Sequence, residues 1–524
     1  MTSTTFPRPS QDASAGGAAR LVPSERLTAL PTYVFAWLDE LKASARARGA
    51  ELIDLGMGNP DQPTPPAIIA AIGAAYSDPG SHAYPPFRGT ERFRSAVARF
   101  MSRRFGVTVD ADREILCLSG AKEGIAQTTM AFADAGTMSI VPDIHYPVHA
   151  RATGLVGGTI HFIPLRRERG FLPDLGAIPA HVLRDARLLV LNYPHNPTGA
   201  VAPLELYEEA VALCRKHDIL LISDLAYSEI TFDGTVAPSV LQVSGAKDVT
   251  LEFHSFSKTF NMAGSRIGFA VGGPSLIDAL HAVRTNMGYG TPMAIQAGAA
   301  FALDHHAELV QPVVARYQSR RDFVTAAFHS LGWASEPPRG SMFVWLPIPE
   351  GFGAQEWTKH LIDRADVVVT PGNAFGPGGE RFFRVSLIAE PRVVARAVDR
   401  LRRAGIRYEL AKQPPPPPIV CRVSTAPQHD YRSRMARHVH PVSANQEDKV
   451  ADDRNPAEQD AMLDPEDVNS EPAGAERTTS PDPNDEIPVP IAMSPAEIDE
   501  RAQAVEAMGG TSPAQPEDDR RNKA

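Results

Sequence analysis

One lysine stands where a lysine can do covalent work. Ser255-Phe256-Ser257-Lys258 directly follows a strand expected at 250–254, and Arg266 comes eight residues after the lysine. An amine just past a strand end can condense with an aldehyde, and two hydroxyls with a guanidinium suit a phosphate. Together they describe a site for pyridoxal phosphate, although a solvated lysine at a turn also accounts for the tetrapeptide alone. Asp224 closes an apolar run, 220–223. A lone carboxylate is costly there unless it meets a cation. A protonated pyridine nitrogen is such a cation, and the pairing makes the ring an electron sink. Tyr227, three residues on, offers a hydroxyl to the ring's phenolate oxygen. Taken by themselves, the two also read as a capping aspartate and its neighbour. Asn196 lies in Asn192-Tyr193-Pro194-His195-Asn196-Pro197-Thr198-Gly199, where prolines stiffen a turn and Gly199 permits unusual backbone. Its amide can reach the same oxygen, and the string is also simply a turn. Ser119-Gly120-Ala121-Lys122-Glu123-Gly124 opens a helix. Its free N–H groups and positive dipole end favour a phosphate, and a structural turn would look the same.

These segments need a scaffold that brings distant strand ends together. Short, nearly continuous apolar runs at 115–118, 138–141, 160–163, 188–192, 220–223, 250–254 and 267–271 read as strands. Helical stretches at 120–132, 146–154 and 204–217 lie between them. That alternation predicts a mostly parallel sheet buried on both faces. All four segments fall just after strands, where open α/β sheets bind ligands. A long helical region runs from 276 to about 331. After it, 342–346, 356–364, 367–370, 382–387 and 391–404 read as a smaller α+β domain completed by residues around 27–50. The boundaries we expect are 1–24, a disordered start; 25–65, a segment joining the small domain; 66–305, the large domain; 306–410, the small domain; and 411–524, a tail.

Composition removes other classes. The chain has 524 residues, 52 Lys+Arg against 62 Asp+Glu, and three cysteines too scattered for a disulfide framework or a cysteine-ligated zinc. A net charge of −10 with no long basic run argues against nucleic acid. No apolar run approaches the ~20 residues a membrane helix needs, and residues 1–20 lack a signal-peptide core. We expect a soluble cytoplasmic protein. Residues 411–524 hold 12 Lys+Arg, 22 Asp+Glu and 17 of the 47 prolines, so the whole excess of negative charge sits there. Such a segment is expected to be disordered. Within it Ser494-Pro495-Ala496-Glu497 is a good helix start, either for a fraying helix or for one that docks on a partner.

The order and spacing of the motifs resemble the class I/II, fold-type-I pyridoxal-phosphate-dependent aminotransferases across residues 25–410. The string 251–269 (LEFHSFSKTFNMAGSRIGF) is similar to the bacterial alanine and LL-diaminopimelate aminotransferase group. So are Gly56-Met57-Gly58-Asn59-Pro60-Asp61 and the stretch from Tyr227 to Ser239. The resemblance implies an α/β large domain with a mostly parallel seven-stranded sheet flanked by helices, plus a small α+β domain. It also implies roles. Lys258 carries the cofactor and shuttles the substrate's α-proton. Asp224 pairs with the ring nitrogen, Tyr227 and Asn196 meet the phenolate oxygen, and Tyr146 stacks on the ring. Gly120, Ala121, Lys122, Ser255, Ser257 and Arg266 hold the phosphate, with Ala121 offering only its N–H where many relatives carry Ser or Thr. Tyr84 matches the tyrosine that reaches a neighbouring subunit's phosphate, implying a homodimer with shared sites. Arg384 matches the arginine that clamps the substrate carboxylate, bordered by Gly58. Pro371-Gly372-Asn373-Ala374-Phe375-Gly376 matches a small-domain loop to which no catalytic role is given.

The activity implied is ping-pong transfer of an amino group between an L-amino acid and a 2-oxo acid. Asn286-Met287-Gly288-Tyr289-Gly290-Thr291-Pro292, expected near the entrance, has no arginine for a second substrate carboxylate. That weakens aspartate as donor, and Gly288-Tyr289-Gly290-Thr291 resembles the alanine-type pattern more than the diaminopimelate one, so alanine and glutamate with pyruvate and 2-oxoglutarate are expected. LL-diaminopimelate or methionine is the alternative, and a pyridoxal-phosphate C–S lyase a more distant one. A non-catalytic platform for the acidic tail is disfavoured by the intact cofactor positions. Ser265, where many relatives carry Trp, removes bulk beside Arg266.

Overall fold

Alternating side chains of single strands feed two different hydrophobic cores. In the strand 186–192, Leu188 and Val190 enter one core and Leu189 and Leu191 the other, as a sheet covered on both faces requires. The computed structural model describes residues 22–31 and 33–408. The expected disordered start up to residue 21, the 411–524 tail and the helix start at Ser494 lie outside the described residues.

The strands in chain order are β1 (Ile53–Asp54), β2 (Ile115–Leu118), β3 (Met138–Pro142), β4 (Thr159–Ile163), β5 (Ala186–Asn192), β6 (Leu220–Asp224), β7 (Thr250–Ser255), β8 (Gly268–Gly272), β9 (Phe343–Pro347), β10 (Val367–Val368), β11 (Thr370–Pro371) and β12 (Phe382–Ser386). The main helices are α1 (Val34–Ala47), α2 (Pro66–Tyr76), α3 (Glu91–Phe105), α4 (Ala121–Phe132), α5 (Val148–Leu155), α6 (Leu204–His217), α7 (Pro274–Met287), α8 (Met293–Asp304), α9 (His306–His329), α10 (Ala354–Ala365) and α11 (Pro391–Arg403).

Seven strands form one sheet in the order β2-β8-β7-β6-β5-β3-β4. It is parallel except at β8, which runs antiparallel to both neighbours. The seven strands expected from sequence are all present, within two residues at each end. The carboxyl ends of β5, β6 and β7 consequently meet at one edge, in register Asn192↔Asp224↔Phe253.

A second core lies around the three-stranded antiparallel sheet β11-β12-β9, with Trp333, Trp357 and Phe383 fully buried in it. Tyr227 belongs to this second core, so the loop leaving β6 bridges the two. Two sequence expectations need refining. The run 367–370 is two strands, because β10 pairs in parallel with β1 while β11 turns to pair antiparallel with β12. The helical region from 276 to 331 is three helices, broken at 288–292 by Gly, Gly and Pro and again at His305.

Candidate active site

β7 ends in Ser255, whose Oγ accepts from the Ser257 N–H at 3.2 Å and caps a single helical turn, Phe256–Thr259. That turn carries Lys258 out of the sheet edge. The amine is half-buried and donates to the Gly58 carbonyl at 2.6 Å. Burial first, then the charges of Arg384 and Arg266, pulls its pKa down from 10.5 to about 8.

Arg266, exposed at φ +50, donates to the carbonyls of Ala263 at 2.9 Å and Ser119 at 3.1 Å. The second bond ties it to the turn that starts α4. Gly120 there has φ +103, and a Cβ on it would stand 2.5 Å from an Arg266 nitrogen. Backbone and guanidinium thus converge on a space that no side chain at 120 can share. With the N-terminal N–H groups of α4, they make a cradle for a phosphate. Ala121 and Ser257 are buried in its wall, whereas Lys122 is exposed.

Asp224 is the last residue of β6. One carboxylate oxygen meets His149 Nε2 at 2.9 Å, and the two side chains are 8% and 1% exposed. The other oxygen accepts from the Ala226 N–H at 3.3 Å. A carboxylate so buried is kept in place by these partners and remains a match for a ring N–H⁺. Tyr227 is buried, and burial raises its hydroxyl pKa well above 10, so it is a donor at neutral pH. Tyr146 has a hydroxyl pushed up to about 12, mainly by burial, and meets the His149 ring edge-on at 6.0 Å.

Arg384 comes from β12 and is 3% exposed. It donates to Asn196 Oδ1 at 3.1 Å and to the Gly56 carbonyl at 2.9 Å. Its guanidinium lies 3.9 Å from the Phe343 ring centroid and 4.7 Å from that of Phe375. Burial lowers its pKa to about 10, which leaves it charged at neutral pH. Its Nε is buried without a partner, a donor suited to an incoming carboxylate. A Cβ on Gly58 would sit 3.4 Å from Arg384. With Asn196 Oδ1 taken by Arg384, the Asn196 amide nitrogen is left to donate. Gly199, at φ +74 and with a virtual Cβ 2.4 Å from Pro338, confirms why that turn needs glycine.

Lys258, Gly58, Asp224, Tyr227, Asn196, Arg384, Tyr146, Arg266 and Gly120 therefore come together. Tyr84 does not join them within its own chain: it is 76% exposed and stacks on Tyr289 at 4.1 Å. His149 escaped the sequence reading. No local signal marks it, because it stands in the first turn of α5 as any helix residue could.

The donors fit pyridoxal phosphate at each point tested: an amine of depressed pKa, a phosphate cradle closed by Arg266, and a buried carboxylate for a ring nitrogen. Fold and site thus define a pyridoxal-phosphate-dependent enzyme built on a mostly parallel α/β sheet. The chain belongs to the class I and II aminotransferases, whose family model matches residues 50–401. It is 45% identical over 386 residues to LL-diaminopimelate aminotransferase 2 of Nostoc sp., covering 74% of this chain and 99% of that one. It is 43% identical over 387 residues to LL-diaminopimelate aminotransferase of Moorella thermoacetica, with 74% and 99% covered. Among solved structures, substrate-bound BacF from Bacillus subtilis matches with 36% identity and a TM-score of 0.72, over 75% of this chain and all of that one. A probable N-succinyldiaminopimelate aminotransferase from Thermus thermophilus matches with 36% identity and a TM-score of 0.67, over 71% of this chain and all of that one. The protein is an aminotransferase that uses pyridoxal phosphate, with amino acids and 2-oxo acids as substrates. Among the described residues no helix is long and apolar enough to cross a membrane.

Proposed function

We propose that this aminotransferase acts on LL-diaminopimelate. LL-diaminopimelate, the alternative to alanine and glutamate, is the donor that the relatives favour. What carries it is the 43–45% identity to enzymes of that name over nearly their whole length. Such a substrate has an amino-carboxylate at each end, so it needs ionic groups of both signs beyond the reacting carbon. A cleft of about 540 Å³ beside the phosphate cradle, lined by Tyr33, Lys122, Glu123, Arg151 and Arg266, offers both.

Pyridoxal phosphate held through Lys258 would supply an electron-withdrawing ring and an electrophilic carbon, to which the substrate's amine adds as the Lys258 amine leaves and becomes free to act as a base. Lys258 Nζ takes the proton from the substrate's Cα and returns it on the other side of the exchange, a task suited to a pKa of about 8. Asp224, oriented by His149, would hold a proton at the ring nitrogen. Tyr227 and Asn196 would donate to the phenolate oxygen, Tyr146 would cover the ring, and Arg384 would receive the α-carboxylate.

We also propose a homodimer in the cytoplasm. Tyr84, Tyr289 and Phe87 form an exposed aromatic stack, a patch suited to an isologous contact that brings Tyr84 to the partner's phosphate. Cys117 and Cys214 are free thiols, as in reducing compartments.

The test is a half-reaction panel without acceptor. LL-diaminopimelate should bleach the cofactor's absorbance band at a kcat/KM at least tenfold above alanine, glutamate or methionine. Faster bleaching by alanine or glutamate would return the assignment to them.

A further inference from the structure

We infer that the loop 372–379 between β11 and β12 is a positioning element: through Phe375 it couples the arginine held for the substrate carboxylate to the segment carrying the ring-covering tyrosine. The inference rests on the roles proposed for Arg384 and Tyr146, and not on which amino acid is the donor.

Phe375 is fully buried and has two attachments. Its ring faces the Arg384 guanidinium at 4.7 Å. Its carbonyl accepts from the His145 N–H at 2.6 Å, and His145 immediately precedes Tyr146. The ring cannot slip sideways, because Trp345 at 5.8 Å and Phe35 at 6.1 Å meet it edge-on. Three residues further on, the Gly378 N–H donates to the Asp143 carbonyl at 2.9 Å. The Asp143 carboxylate is itself fixed, accepting from the Leu165 N–H and from Arg166, each at 2.7 Å.

Both glycines are needed for this approach. Gly376 has φ +106, and a Cβ there would lie 2.5 Å from the Asp143 carbonyl oxygen. At Gly378 a Cβ would lie 2.5 Å from Asp143 Cγ. The loop thus packs on the 143–145 backbone with no slack. A shift of Arg384 on taking a carboxylate is passed through one rigid ring to the backbone that aims Tyr146.

The test uses the full chain loaded with pyridoxal phosphate. Phe375→Leu and Phe375→Met remove the aromatic face beside Arg384 but keep apolar volume. Gly378→Ala pushes on Asp143 and touches no substrate. Two readouts are followed: the donor's apparent Kd in the half-reaction, and the circular dichroism of the cofactor band without substrate. We expect each variant to move both. Donor binding weakens about tenfold, the limiting rate stays within about threefold, and the dichroic band changes. In the Phe375→Leu/Gly378→Ala double variant, the loss of binding falls short of the product of the single losses. If each variant moves only the readout next to it, or if the losses multiply, the coupling is refuted. Arg384→Lys serves as the control and should weaken donor binding about a hundredfold. If it does not, the role of Arg384 fails and the inference with it. If it does while the Phe375 variants bind normally, the inference alone fails.

Discussion

The depressed pKa of Lys258 makes a rate prediction that a solvent-exposed lysine cannot imitate. Only the neutral amine attacks an aldehyde. With a pKa of about 8, roughly a tenth of the amine is neutral at pH 7. At the ordinary 10.5, about three in ten thousand would be, a difference of roughly 300-fold. Capture of pyridoxal phosphate by cofactor-free enzyme, followed by stopped-flow absorbance, should rise with unit slope below pH 8 and level off above it. The same reaction with a blocked free lysine, run in the same buffers, divides out the aldehyde's own ionisations and should keep rising towards pH 10.5. Arg384→Met removes the larger of the two cations that depress the amine and should move the break upward. The lowered pKa also has a stability sign. Between pH 8 and 10.5 the unfolded chain binds more protons at this residue, so folded stability rises with pH across that window. The cost of a charged, half-buried amine is fully present below pH 8. Lys258→Met should accordingly stabilise the cofactor-free chain at pH 7 by about 2–3 kcal/mol, with the gain fading by pH 10.5. A capture rate that climbs past pH 10 in the wild type, as for free lysine, would refute the whole electrostatic account.

Three further outcomes follow from named contacts. His149→Leu should slow the donor half-reaction about tenfold by leaving Asp224 short of a partner, and His149→Gln, which can still donate, should recover part of it; equal losses in both would remove His149 from the site. Gly120→Ala puts a methyl 2.5 Å from Arg266 at φ +103, so cofactor affinity by equilibrium dialysis should fall about 10–100-fold, alongside a loss of about 1–3 kcal/mol in stability; an unchanged affinity would dismiss the cradle. Glu229, clamped between Arg104 at 3.0 Å and His306, has its pKa lowered from 4.5 to about 2 despite burial. Its contribution, about 3 kcal/mol, is present above pH 4.5 and lost as pH falls towards 2. Glu229→Gln should therefore flatten the acid limb of a urea-midpoint profile, and an unaltered limb would deny the clamp.

Much of this was legible because strands buried on both faces announce themselves as short apolar runs, and because the reactive groups sit immediately after them. That position made Asp224, Asn196 and Lys258 candidates, and the order of the motifs with the family resemblance gave them roles. What stayed hidden depends on contacts between residues remote in sequence. Asp224 and His149 are 75 residues apart, and nothing local marks His149 as more than a helix residue. β1 is two residues long and acquires meaning only by pairing Ile53 with Val367. The split between β10 and β11 is likewise a change of partner, invisible in a run of valines.

The same distinction explains why substrate choice was the weakest point of the sequence reading. Chemistry common to all amino donors is set by groups at strand ends, where sequence and position nearly coincide. Arg384 is also near its strand partners in sequence, but the atoms that aim it, the Gly56 carbonyl and Asn196, lie 328 and 188 residues away. The groups that would meet a second amino-carboxylate come from three places: Tyr33 before α1, Lys122 and Glu123 in α4, and Arg151 in α5. The absence of an arginine in 286–292 therefore says little about a distal carboxylate, because the cations of the cleft stand elsewhere. Reading alanine from that loop takes one segment to supply the whole distal pocket, whereas the cleft proposed for it is lined from several.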